Sequence, residues 1–317
     1  MPAACSLTRT TGSWPLHKRR CLTRSPGSWL SSPRFQVQAQ LPGGPSAHPN
    51  TGSWPLPLQV ANLLAFAANV YFVQSVPRLD SKNYGQLPLN FLTPAPYAFA
   101  IWAVIYMSEA AFVCWQLFQR YPSAPRKRLS LLSDCAPWWC AANACQVLWC
   151  LTFTPRFDSP GLLWISAVAL SGIALCLGQA HAVVAAGTLD RQETFLLYAP
   201  ISVHFGWTSA AALVNWNGYF ARCGLGNGTK FNLLLLSLFL ATALGVVVSN
   251  RRKSVLYGIT VAWALVAVGR NTWQDQRFAE AMGLGPAGAL GNLEVALGAL
   301  VVAAVAGTRM RKRGTGV

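Results

Sequence analysis

Acidic residues are scarce in this chain. Its 317 residues carry 9 Asp and Glu against 25 Lys and Arg, a formal net charge of +16, and the first carboxylate of all is Asp80. Charged residues of both signs reach only 11%, where an ordinary soluble domain has about 25%. The basic residues sit outside the apolar runs, where orientation signals and lipid head groups require them. No separate basic domain is left to carry nucleic acid, which excludes that partner. Lys18, Lys82, Lys127, Lys230, Lys253 and Lys312 all fall in tails or loops, so no lysine at membrane depth is available for a retinal-type Schiff base. The patterns HExxH and GxSxG are absent, as are paired intramembrane carboxylates at helical spacing, and the chain is not expected to be an enzyme. Cysteine is present at 9 positions, but Cys135, Cys140, Cys145 and Cys150 recur every five residues, each rotated about 140° from the last around a helix. They cannot share a face, so a four-thiolate metal site is excluded and ordinary helix packing is the default.

Apolar residues dominate at 53%. They gather into eight runs near the roughly 20 residues that a bilayer core demands. The runs cover Leu56 to Val76, Tyr97 to Gln119, Pro137 to Phe153, Gly161 to Ala186, Phe195 to Phe220, Phe231 to Ser249, Ser254 to Gly269, and Gly288 to Gly307. The expected fold class is an all-α polytopic membrane protein of about eight transmembrane helices. The loops supply an independent check: with both tails on one side, that side carries 18 Lys and Arg against 7 on the other, or 12 against 7 without the first 55 residues. An even helix number with both termini on the positive, inner side follows. Asn250 to Lys253 is a short link that makes the sixth and seventh helices antiparallel neighbours. In the last run Gly288, Gly291, Gly298 and Ala303 are small enough to let helices approach closely in lipid.

Residues 1–55 read as a basic, low-complexity leader. Arg-rich, Ser-rich and acid-poor, they have the composition of a mitochondrial or plastid transit peptide, and a disordered tail fits nearly as well. TGSWPL occurs twice there, at Thr11 to Leu16 and at Thr51 to Leu56, which is a duplicated leader rather than a solenoid repeat. Residues 309–317 form a basic C-terminal tail.

Two stripes carry the functional signal. In Leu92 to Glu109, Pro94 and Pro96 hold an extended lead-in, after which Phe99, Trp102, Tyr106 and Glu109 fall at i, i+3, i+7 and i+10 along one helix face. That face suits something flat and apolar, and equally a packed aromatic stripe. In the fifth run Pro200, His204, Trp207, Ala211, Asn215 and Gly218 step by three or four, a kinking proline and one indole above small residues. Such a floor makes room for a ligand or for a neighbouring helix. Polar groups at membrane depth are functional candidates by default. Glu109 is the most prominent, and a carboxyl that reaches an interface or stays protonated is its alternative reading. Asn143, His181, His204 and Asn215 read as interhelical hydrogen-bonding groups, with haem ligation by His181 or His204 the sharper alternative. Glu294 has no nameable partner. Val214, Tyr219 and Arg222 satisfy a proposed cholesterol pattern of low specificity, and the sequon at Asn227 lies in a loop too short to favour glycosylation.

Pro94 to Phe99 with Ile101, Trp102 and Tyr106 resembles the signature that opens the second helix of the translocator protein family, the tryptophan-rich sensory proteins (TspO/MBR). Pro200 with Trp207, Ala211, Leu213 and Asn215 is similar to the signature of that family's fifth helix. The resemblance covers residues 56–222, with Ala95 separating two prolines that the family keeps together, and leaves residues 223–308 as three additional helices. It implies a five-helix TspO-like core whose pocket, covered by the loop after the first helix, takes a porphyrin or a sterol. Trp102, Tyr106, Trp207 and Ala211 match its pocket positions, Asn143 more weakly. The expected function is therefore a membrane binding or sensor protein for a tetrapyrrole or sterol-like ligand, with Phe99, Trp102, Tyr106, Glu109, Asn143, Trp207, Ala211 and Asn215 as candidate ligand-binding residues. Haem or another porphyrin enters as ligand, and membrane lipid is the other partner. A secondary transporter is the alternative, and homo-oligomerisation stays open. No inverted repeat between the two halves supports the transporter reading.

Overall fold

The computed structural model describes residues 56–79, 90–119, 123–274, 280, 283 and 288–314. The leader, part of the loop after the first helix and residues 315–317 lie outside them, and residues 309–314, read as a tail, continue the last helix. Among the described residues there are eight long helices and no strand: α1 (Leu56–Ser75), α2 (Ile101–Leu117), α3 (Arg126–Thr152), α4 (Trp164–Ala186), α5 (Ala199–Arg222), α6 (Asn227–Arg252), α7 (Val255–Gln274) and α8 (Gly288–Gly314). Each coincides with one apolar run. The largest departure is α3, which starts eleven residues before Pro137 because its first turns carry Arg126, Lys127, Arg128 and Asp134, polar residues that extend the helix beyond its apolar part.

Among the described residues four helices are long and apolar enough to cross a membrane by length and composition: Pro96–Leu117, Trp164–Ala186, Asn227–Arg252 and Val255–Gln274, with Leu290–Ala306 a shorter apolar helix. The distribution of polarity is inverted relative to a soluble bundle. Large apolar side chains such as Leu64, Tyr71, Met107, Leu175 and Phe239 point outward, while Gln59, Asn62, Asn69, Gln116, Asn143 and Gln146 are buried. Lipid offers nothing to a bare amide, so all of these but Gln146 are hydrogen-bonded between helices, while the Gln146 amide has no hydrogen-bond partner. Gln59 Nε2 donates to the carbonyls of Gln116 (2.6 Å) and Gln119 (2.8 Å), Asn62 Nδ2 to Gln116 Oε1 (2.6 Å), and Asn69 Nδ2 to Asn143 Oδ1 (2.8 Å). This ladder binds α1 to α2 and α3.

Helix α5 is the hub, packing against α2, α4, α6 and α7. Gly206 brings its backbone so near α7 that a Cβ there would lie 2.9 Å from the Tyr257 carbonyl oxygen. The sixth and seventh helices are joined by Lys253 and Ser254 alone, with Lys253 in the left-handed region at φ 53°, as the short basic link requires. Helices α7 and α8 cross through glycines: Cβ atoms on Gly269 and Gly291 would fall 2.8 and 2.9 Å from each other's carbonyl oxygens. Of the small residues read in the last run, Gly291 and Gly298 both face α7.

Ion pairs close both ends of the bundle. At one end Arg128 meets Asp190 and Glu193 (3.1 Å to the latter), and at the other Arg222 meets Asp158. Asp190 and Glu193 form a reciprocal cap ahead of a wide turn at Thr194–Tyr198 that leads into α5. The backbone N–H of Glu193, and then the Arg128 guanidinium, hold the Asp190 carboxyl below its ordinary range.

Candidate ligand-binding site

The two proline residues of the lead-in do what their fixed φ dictates, but the first turn they produce is not α-helical. Pro96–Ala100 is a 3-10 turn, and α2 begins only at Ile101. Three residues per turn brings side chains three apart into line, so Phe99 stays beside Trp102. Its ring meets Trp207 of α5 edge to face at 5.8 Å, the same indole that Trp102 touches. Trp102 stacks on Tyr106 (5.6 Å) and presents an edge to Trp207 (6.2 Å) and to His204 (5.7 Å). The two sequence stripes thus converge on one aromatic wall.

The wall separates two cavities. On one side a space of about 400 Å³ lies between α1, α2 and α3, with Trp102, Tyr106, Gln146 and Trp149 in its walls and Gln74 and Arg78 toward one end. The Arg78 guanidinium sits over the Trp149 ring at 5.4 Å and donates to the Val73 carbonyl at 2.6 Å. Gln146 is wholly buried beside the Tyr106 hydroxyl. On the other side a smaller, entirely apolar space of about 50 Å³ is lined by Leu92, Pro94, Phe99, Trp207 and a floor that includes Ala210, Ala211 and Ala264. Trp102 belongs to the first cavity, and Trp207 and Ala211 to the second. The two indoles touch, yet each serves a different space.

Behind the wall, Glu109 is fully buried. Its Oε1 lies 2.7 Å from His204 Nδ1 and accepts a hydrogen bond from Trp139 Nε1 at 3.3 Å, while Oε2 and His204 Nε2 have no hydrogen-bond partner. Asn143 donates to the Trp139 carbonyl (2.9 Å) and accepts from Asn69, one layer below. Asn215 accepts from the Ser166 hydroxyl (2.9 Å) and holds α5 to α4, outside both cavities. His181 is likewise structural. Arginine only donates, so Arg252 Nη1 at 3.3 Å makes His181 Nδ1 an acceptor, and Nε2 donates to Ser254 Oγ at 3.1 Å. Neither ring nitrogen is left for iron. Glu294 is buried against Gly269 and beside Thr272. Among the described residues no group of three His, Cys, Asp or Glu side chains is placed to hold a metal ion.

Sequence reasoning placed the stripes of α2 and α5 but missed the third one. Trp139, Asn143, Gln146 and Cys150 step by four, three and four along α3, and all four are buried. That spacing was readable. The Arg78 and Trp149 pairing was not, because it joins residues 71 positions apart.

These features define an integral, multi-pass helical membrane protein with a tryptophan-lined cavity between its first three helices. The sequence pattern of the TSPO-like protein family matches residues 59–308, and the chain belongs to that family. The match runs from α1 into α8 and so takes in the three helices that follow α5. No curated protein and no solved structure matches the chain.

Proposed function

We propose that the protein binds a flat apolar ligand, a tetrapyrrole or a sterol-like molecule, in the space between α1, α2 and α3. The observation that carries this reading is the cavity itself: about 400 Å³, with Trp102, Tyr106 and Trp149 as flat walls and Gln74, Arg78 and Gln146 as a few polar anchors. Ligand sites of this kind span roughly 300–1,000 Å³ and combine aromatic walls with a small number of placed polar groups. Arg78 suits a carboxylate on the ligand's rim. In this reading the protein is a sensor or binding protein rather than an enzyme, porphyrin or haem is its ligand rather than a resident cofactor, and all eight helices cross the membrane with both termini on the positively charged side. Titrating the purified protein with protoporphyrin and with a sterol, following the Soret band and tryptophan fluorescence, tests it. Saturable binding that Trp149→Ala and Arg78→Gln weaken supports the reading, and equal binding by wild type and both variants refutes it.

Secondary transport is a second reading, and one observation favours it. Glu109 and His204 pair on two different helices at membrane depth, and buried ionisable pairs of that sort serve as coupling sites in proton-driven carriers. Uptake of labelled ligand into proteoliposomes, with and without a pH gradient, separates transport from binding.

A further inference from the structure

Three contacts join the lead-in segment ahead of α2 to α7. The Ala95 N–H donates to the Ala267 carbonyl at 2.9 Å, the Trp263 indole N–H donates to the Ala98 carbonyl at 3.3 Å, and the rings of Tyr97 and Trp263 meet edge to face at 5.3 Å. The same segment roofs the smaller cavity through Leu92, Pro94 and Phe99, and through Phe99 it props Trp207 against Trp102. Proline has no N–H, so in Pro94-Ala95-Pro96 the central alanine is the one residue able to donate, and that donor is spent on α7. Leu92 and Ala98 anchor the segment in packed side chains, while beneath Pro94 and Phe99 lies the small cavity, so the three contacts to α7 hold the part that borders open space.

We infer that α7 is the latch of the partition beside the binding site and that Trp263 is its positioning residue: releasing Trp263 and Ala95 frees the segment, lifts Phe99 from Trp207 and opens a way through the smaller cavity into the larger one. The inference rests on the proposed site for its effect on ligand, but the latch itself is a property of the chain alone. One of the three helices beyond α5 thereby acquires a role in access.

Two variants separate the parts. Trp263→Phe keeps a ring against Tyr97 and removes only the indole N–H. Ala95→Pro suits the local backbone, with φ −59° and ψ 146°, but puts a ring carbon where the N–H pointed and forces the segment off Ala267. Hydrogen–deuterium exchange of the peptide covering Leu92 to Ala100, in the full-length protein in nanodiscs, reads the latch without any ligand. Losing one hydrogen bond of ordinary net strength corresponds to about three- to tenfold faster exchange in Trp263→Phe, with a larger increase in Ala95→Pro. Unchanged exchange in both variants overturns the latch. Stopped-flow mixing with protoporphyrin reads its consequence: association and dissociation both accelerate in the two variants, while Trp263→Phe leaves the equilibrium affinity within about threefold. Faster exchange with unaltered rates overturns the role in access. Wild-type protein that takes up no protoporphyrin refutes the proposed ligand, and the exchange measurement then decides the latch on its own.

Discussion

Trp102 and Trp207 meet at 84° with 6.2 Å between ring centroids, so that each indole presents its edge or face to the other and its remaining surface to a separate cavity. The contact makes the pair a partition rather than two walls of one room. Binding in the larger space is therefore more sensitive to Trp102 than to Trp207. Trp102→Ala removes a ring from that wall and is expected to weaken protoporphyrin about tenfold or more, whereas Trp207→Phe preserves an aromatic partition and changes affinity less than about threefold. Isothermal titration of the two variants in detergent checks this, and equal losses would place the ligand elsewhere.

The Glu109 and His204 pair is buried at both ends. Removing either partner leaves the other's buried polar atom without its hydrogen bond, which costs about 1–3 kcal/mol. Glu109→Leu and His204→Leu should each melt well below wild type in nanodiscs. The double variant should recover much of the loss, since two apolar side chains need no partner. A double variant as unstable as the sum of the singles would show that the pair does not act as a unit.

The cap at Asp190 gives a pH dependence of known sign. Its carboxyl is held below the ordinary range by the Glu193 N–H first and by Arg128 second. A depressed folded value means that this contribution is fully present above the ordinary carboxylate range and disappears as pH falls through the folded value. Thermal stability should accordingly decline on acidification below about pH 4 more in wild type than in Asp190→Asn. Identical pH profiles would assign the acid sensitivity to other carboxylates.

Gly269 and Gly291 set the spacing of α7 and α8. Gly269→Ala pushes a methyl group against the Gly291 carbonyl, a backbone atom that cannot swing away. Overpacking of this kind costs about 1–3 kcal/mol, and unfolding in mixed micelles would report it. Gly161→Ala has open space within 4 Å and is the control.

Much of the bundle was legible because it is written in composition. Apolar runs near bilayer length give the helices. The stretch before Pro137 was hidden because a helix that rises beyond the apolar zone looks like loop. The form of the first turn was hidden for a subtler reason: two prolines announce a helix start, but spacing does not distinguish a 3-10 first turn from an α-helical one. Trp102 and Trp207 were each visible on a stripe, and so was His204, yet Glu109 and His204 stand 95 positions apart and nothing between them signals that they meet. Pairings across helices belong to packing, and no periodicity within one helix encodes them.

The amide ladder on α1 has a consequence for how the molecule is made. α1, α3 and α5 fall outside the group of helices apolar enough to cross by composition, and α1 places Gln59, Asn62 and Asn69 on groups of α2 and α3 that emerge from the ribosome after it. The three amides of α1 find their partners only once α2 and α3 are packed against it, so the packing of these three helices is mutually dependent.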